Sequence, residues 1–134
     1  MGRILAIDYG LKRSGLAWTD VHKSIALPLE GLPTDQLWER LHVLLPEVER
    51  VIVGYPRHLN GRATEMTTPV EQFLIEFQRR FPHLPIEKVE ERLSTKAASH
   101  YIGVLPRAKR RDKATVDCIA ASILLENYLL RKQR

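Results

Sequence analysis

The chain has 134 residues, 44% of them hydrophobic and 28% charged, the balance of one soluble globular domain large enough for a full core. No apolar run approaches the roughly 20 residues of a membrane span, and the single cysteine, Cys118, excludes an internal disulfide and fits a reducing cytosol. A net charge of +5 favours a polyanionic partner such as nucleic acid.

Met1-Gly2-Arg3 enters the first strand at once, so no signal peptide is expected. That strand runs from Arg3 to Asp8, and its near-continuous apolar run predicts burial on both faces. It ends on a carboxylate, followed by Tyr9-Gly10-Leu11-Lys12-Arg13-Ser14-Gly15. An acid at the end of a buried strand is costly without a partner. The two glycines and the cations Lys12 and Arg13 suit a tight turn that holds something anionic or metallic, though an Asp that merely caps its turn would look similar.

Gly15–Thr19 and Ser24–Leu29 read as further strands joined by short polar turns, with Pro28 fitting an edge. After Pro33, Thr34 is an expected N-cap for a helix that buries Leu37, Leu41, Leu44 and Leu45 and stops at Pro46. Val51–Gly54 is a β-branched central strand, followed by a loop through Asn60-Gly61. Thr68-Pro69-Val70-Glu71 carries a capping box and a first-position proline. The helix it opens turns Val70, Phe73, Leu74 and Phe77 inward and ends before Pro82. Pro85–Val89 is a fifth, more polar strand near an edge. Ser94 or Thr95 begins a helix through Leu105, and the last helix carries Val116, Ile119, Ala120, Ile123 and Leu124 as its apolar stripe. The order βββαβαβαα predicts an α/β fold: one domain over residues 1–134, a mixed five-stranded sheet with helices on both faces.

Between the last two helices Arg107, Lys109, Arg110, Arg111 and Lys113 form a basic stretch broken only by Ala108 and Asp112. Placed after Pro106 and before a helix, it reads as a loop free to meet a phosphate backbone, although such runs also serve as solvated surface. Three acidic positions border the predicted sheet: Asp8, the pair Glu90-Glu91, and Asp117. Asp117 lies in the first turns of the last helix, beside small residues that permit a close approach to the sheet. It either favours the helix dipole or faces Asp8. Carboxylates gathered there would repel one another unless a cation such as Mg²⁺ or Mn²⁺ joined them. Two such ions about 3.5–4 Å apart drive in-line phosphodiester hydrolysis.

These residues resemble the YqgF/RuvX family, which has an RNase H-like fold. Asp8 through Gly15 is similar to its opening signature, and Val53-Gly54-Tyr55-Pro56 with Asn60-Gly61 to its central strand and loop. Glu91-Arg92-Leu93-Ser94-Thr95 is similar to its third motif, and Lys113 with Asp117 and Ala120-Ala121 to its last. The resemblance spans nearly the whole chain. It implies a metal-dependent endonuclease acting on structured RNA or branched DNA, in 5′-end maturation of pre-16S ribosomal RNA or in Holliday-junction resolution. It implies Asp8, Glu91 and Asp117 as metal-binding catalytic acids, with Lys12 and Arg92 near the phosphate. Lys12, Arg13, Arg92, Lys109, Arg110, Arg111 and Lys113 are the candidate nucleic-acid contacts. One departure stands out: Glu90 replaces the family's usual Asp before the Glu-Arg pair, which leaves open whether Glu90 or Glu91 reaches the metal. Alternation along a strand makes it unusual for both to do so.

Two other readings compete. A non-catalytic nucleic-acid-binding or ribosome-assembly module would gain nothing from clustered carboxylates. An actin-like ATP-binding domain shares the opening Asp-x-Gly hairpin, but needs a second, duplicated domain. A monomer or a homodimer fits the chain; symmetric junction cutting would call for the dimer.

Overall fold

A computed structural model of the protein describes residues 2–55, 67–90 and 112–132. The loop through Asn60-Gly61, the helix expected from Ser94 or Thr95 to Leu105, and the acid and basic positions from Glu91 to Arg111 lie outside these residues. The first three strands are β1 (Arg3–Asp8), β2 (Arg13–Thr19) and β3 (Ala26–Pro33). They are followed by helix α1 (Leu37–Leu44), β4 (Val48–Tyr55), α2 (Thr67–Arg80), β5 (Ile86–Glu90) and α3 (Lys113–Lys132).

The described strands form one mixed sheet in the order β3-β2-β1-β4-β5. The β1–β2 and β2–β3 pairs are antiparallel, while β4 joins β1, and β5 joins β4, in parallel. Pro28 sits on the edge strand, where its missing N–H costs no ladder bond. Strand β3 starts two residues later than the sequence suggests and runs on through Pro33, so Gly31 belongs to the sheet rather than to a loop. β2 likewise begins at Arg13 rather than Gly15.

Alternation along β1 divides the core. Leu5 and Ile7 face α1 and α2, packing with Leu41, Val70, Phe73 and Phe77; Ile4 and Ala6 face α3, packing with Ala121, Leu124 and Leu125. On the first face Trp38 stacks on Phe73 at 4.9 Å, and Phe77 lies 5.1 Å from Phe81. The buried stripe of α3 is Ala121, Ile123, Leu124, Leu125, Tyr128 and Leu129. It is rotated toward the C-terminal half from the expected one, for Val116, Ile119 and Ala120 are only half-buried. The Tyr128 hydroxyl donates to Glu87 at 2.7 Å and ties α3 to β5. Burial, with that bond second, pushes its pKa up to about 12, so it stays a donor across the ordinary pH range.

Thr34 does not cap α1. A single 3-10 turn, Thr34–Gln36, precedes the helix, and no side chain caps either one. The Thr34 hydroxyl instead donates to the Gly10 carbonyl at 2.6 Å, a contact between positions 24 apart that local capping patterns cannot show.

Two glycines decide how closely α3 approaches the sheet. A Cβ on Gly15 would lie 1.9 Å from the Asp117 carbonyl oxygen, and one on Gly31 would lie 2.6 Å from the Ala114 carbonyl oxygen. Both obstacles are helix backbone, which cannot turn aside as a side chain can. Gly15→Ala is therefore expected to push the start of α3 off the sheet and cost about 1–3 kcal/mol, the usual range for overpacking. Urea unfolding measures this, and an unchanged midpoint would contradict the close contact.

Candidate active site

One row of paired residues crosses all five described strands: Gly31 on β3, Gly15 on β2, Asp8 on β1, Gly54 on β4 and Val89 on β5. It lies at the carboxyl ends of the three parallel strands, where open α/β sheets place their ligands. Asp8 is thus flanked by glycine on both sides. By alternation it shares the face of Ile4 and Ala6, the face covered by α3. With no side chains at Gly15 or Gly54, the sheet is shallow around the carboxylate.

Asp117 arrives on that face from α3. Its backbone rests on Gly15, the immediate neighbour of Asp8, and its Cβ lies over Gly31. Helix α3 begins at the right point because Asp112 caps it: one carboxylate oxygen accepts from the Ala114 N–H at 3.2 Å, the other from the Thr115 hydroxyl at 2.7 Å. In the sequence this cap is masked by the basic run around it, which has the composition of a loop. The positive end of the helix dipole then lies near Asp117 and favours its charge.

Arg13 gives Asp117 a side-chain partner as well. Its Nε donates to Asp117 Oδ2 at 2.8 Å, with the two side chains 33% and 25% exposed. Position 13 has the parity of Gly15 and Ala17 along β2, so Arg13 rises on the α3 face. The pair spans 104 positions of sequence, and no local pattern announces it.

The turn that carries Lys12 and Arg13 is held from beneath. Ser14 is buried, and its hydroxyl lies 2.8 Å from the Thr34 hydroxyl and accepts from the Gly10 N–H at 3.4 Å. The Thr34 N–H donates to the Lys12 carbonyl at 2.9 Å. Gly10 is required because a Cβ there would lie 2.2 Å from the Arg13 carbonyl oxygen. Leu11 and Lys12 stay exposed at the tip.

Of the other candidates, Lys113 is exposed at the start of α3. Glu90 occupies the last register position of β5, opposite Tyr55. Glu91, Arg92, Lys109, Arg110 and Arg111 lie outside the described residues. Among the described residues no three His, Cys, Asp or Glu side chains gather as a metal site. Asp8 and Asp117 do offer oxygen donors from two elements on either side of Gly15, and oxygen donors suit a hard divalent cation. Cys118, next along α3, is a structural residue: its thiol bonds to the Thr115 carbonyl at 3.3 Å, and burial pushes its pKa up, the reverse of an activated nucleophile. A groove of about 430 Å³ lined by His42, Phe81 and Leu84 lies at the opposite end of the sheet and takes no part in this site.

A family model described as RuvX, Holliday junction resolvase, matches residues 2–131. A protein of Christiangramia forsetii named as a candidate pre-16S rRNA nuclease is 43% identical, across 96% of this chain and 98% of its own length. One of Porphyromonas gingivalis with the same name is also 43% identical, covering 96% of each chain. Among solved structures, Thermus thermophilus RuvC in complex with a Holliday junction substrate superposes with a TM-score of 0.57 at 14% identity, over 99% of this chain and 96% of that one. A second T. thermophilus RuvC structure gives 0.57 at 17% identity, over 98% and 96%. At these identities the likeness shows the fold, which is RNase H-like.

Removing the Thr34 hydroxyl is a direct probe of the turn. Thr34→Val should lower stability by about 1–3 kcal/mol, because the buried Ser14 hydroxyl and the Gly10 carbonyl lose a partner. Thr34→Ser should cost clearly less. Equal melting temperatures for the Val and Ser variants would contradict the latch.

Proposed function

The chain belongs to the RuvX family, described as Holliday junction resolvases, and we propose that it is a divalent-metal-dependent nuclease, a hydrolase of phosphodiester bonds in structured nucleic acid. The observation that carries this reading is the seating of α3 on Gly15 and Gly31, which brings Asp117 to the same face and the same end of the sheet as Asp8. A binding module gains nothing from acids near a phosphate path, since phosphate contacts are made by cations and N–H donors.

In this reading Asp8 and Asp117 hold the metal, with Glu91 as the third acid. Mg²⁺ or Mn²⁺, when bound, would activate a water and stabilise the leaving oxygen. The chain's own contribution is to orient that chemistry. Lys12 at the tip of the latched turn and Arg92 grip the phosphate at the scissile position. Lys109, Arg110, Arg111 and Lys113 hold the flanking backbone. Arg13 belongs to the same cationic rim and is already engaged with Asp117.

The names of the relatives favour a pre-16S rRNA precursor as substrate; the family description and the RuvC likeness favour a four-way DNA junction. Both are structured polyanions, and the net charge of +5 suits either. No helix among the described residues is long and apolar enough to cross a membrane. We place the protein in the cytoplasm as one domain over residues 1–134, a monomer on RNA or a homodimer on a junction.

The test is a cleavage panel in Mn²⁺ that offers a pre-ribosomal RNA fragment, a four-way junction and single strands side by side. The parent should cut at least one structured substrate. Asp8→Asn should bind that substrate as tightly as the parent and lose cleavage by at least about 100-fold, the scale of removing one preorganised group that stabilises transition-state charge. Undiminished cleavage by Asp8→Asn would refute the mechanism.

Replacing Lys109, Arg110 and Arg111 together by alanine should weaken binding across sequences. The log–log salt slope should fall by about 0.7–0.9 for each phosphate that the protein no longer neutralises. An unchanged slope, measured by filter binding over a salt series, would reduce the loop to a solvated linker.

A further inference from the structure

We infer that Arg13 is the resident counter-cation of Asp117: its guanidinium holds the Asp117 carboxylate, and a divalent cation that binds there competes with it. The inference rests on the nuclease reading above and adds to it a competition between a side chain and the metal.

The geometry leads there in three steps. The Asp117 backbone is pinned on the sheet by Gly15 and Gly31, so only its side chain is free to choose a partner. That side chain has chosen Arg13, at 2.8 Å. The backbone of Arg13 is fixed in turn, because its strand position is paired with Pro33 and the turn before it is tied to Thr34. A guanidinium and a divalent cation on the same carboxylate repel each other, and the guanidinium already occupies Oδ2. Asp8, across Gly15, is close to this exchange through its strand pairing.

Two consequences follow for the site. Arg13 neutralises the Asp117 carboxylate until metal arrives. Once displaced, Arg13 is a cation on a fixed turn beside Lys12, ready for a substrate phosphate. The arrangement therefore links metal entry to the release of a phosphate-binding side chain.

The experiment is a Mn²⁺ titration without nucleic acid, read by thermal melting, on the parent, Arg13→Gln, Arg13→Lys and Asp117→Asn. Arg13→Gln should bind Mn²⁺ about 2- to 5-fold more tightly than the parent, the fold-change that corresponds to removing a competing ion pair of this exposure. Arg13→Lys, which keeps the charge, should stay near the parent. Asp117→Asn should lose most of the Mn²⁺-dependent stabilisation. Both positions are partly exposed and the substitutions are expected to fold; Arg13→Met gives a second charge-free side chain for the same comparison. Mn²⁺ affinity that is unchanged or weaker in both Arg13→Gln and Arg13→Met overturns the inference and leaves Arg13 as a phosphate contact or a mere prop for Asp117. If the parent cleaves and binds Mn²⁺ while that happens, only this inference fails. A parent that neither cleaves nor binds Mn²⁺ fails the nuclease reading and takes this inference with it.

Discussion

The first turns of α3 lie directly on the sheet because two adjacent strands present glycine at the point of contact. Gly15 and Gly31 face each other across β2 and β3, and the carbonyl oxygens of Asp117 and Ala114 fill the space where their Cβ atoms would be. Had either position been alanine, α3 would stand off. Asp117 would move with it, away from the carboxyl end of β1. The rest of the site depends on this contact: the flank of Asp8, the reach of Arg13 and the start of the helix at Asp112.

The two faces of the sheet carry different work. Toward α1 and α2 the packing is large and aromatic, with Phe77, Phe73 and Trp38 filling the space above Leu5, Ile7 and Val53. This face gives stability and leaves α1 and α2 little freedom. Toward α3 the sheet residues are smaller, Ala6 and Ala17 leading to Gly15 and Gly54, so that face narrows from an ordinary core to a bare row beside Asp8. Tyr128 and Glu87 anchor the far end of the helix to β5. Between the faces, the Ser14–Thr34 pair fixes the turn that carries the cations. A substitution on the first face should thus act through stability, and one in the glycine row through the position of the acids.

Much of this is legible from one sequence because it is written in local patterns. β1 ends at Asp8 as its apolar run predicts, and the inward face of α2 is the one its spacing implies. The family resemblance is upheld over residues 2–131. What is not legible depends on distant pairings. Thr34 looks like a cap because it follows Pro33 and precedes a leucine stripe, yet its hydroxyl serves Gly10. Gly31 falls outside the strand expected over Ser24–Leu29, because a glycine that clears a helix and a glycine that ends a strand are identical in sequence. The charge of Arg13 places it with the phosphate contacts, whereas its bond to Asp117 joins the first and last motifs of the chain. The sequence shows small residues beside Asp117 on the helix, but the ones that decide the close approach are on the sheet.

The central claim is that a divalent cation is held at the carboxyl end of β1, between Asp8 and Asp117. Paramagnetic broadening by Mn²⁺ in the amide spectrum of the isotope-labelled protein tests it most directly. At low Mn²⁺ the amide signals of Asp8, Gly15, Gly54 and Asp117 should disappear first, while those of His42, Phe81 and Leu84 at the other end of the sheet persist. Broadening centred on that other end, or spread evenly over the surface carboxylates, would contradict the account.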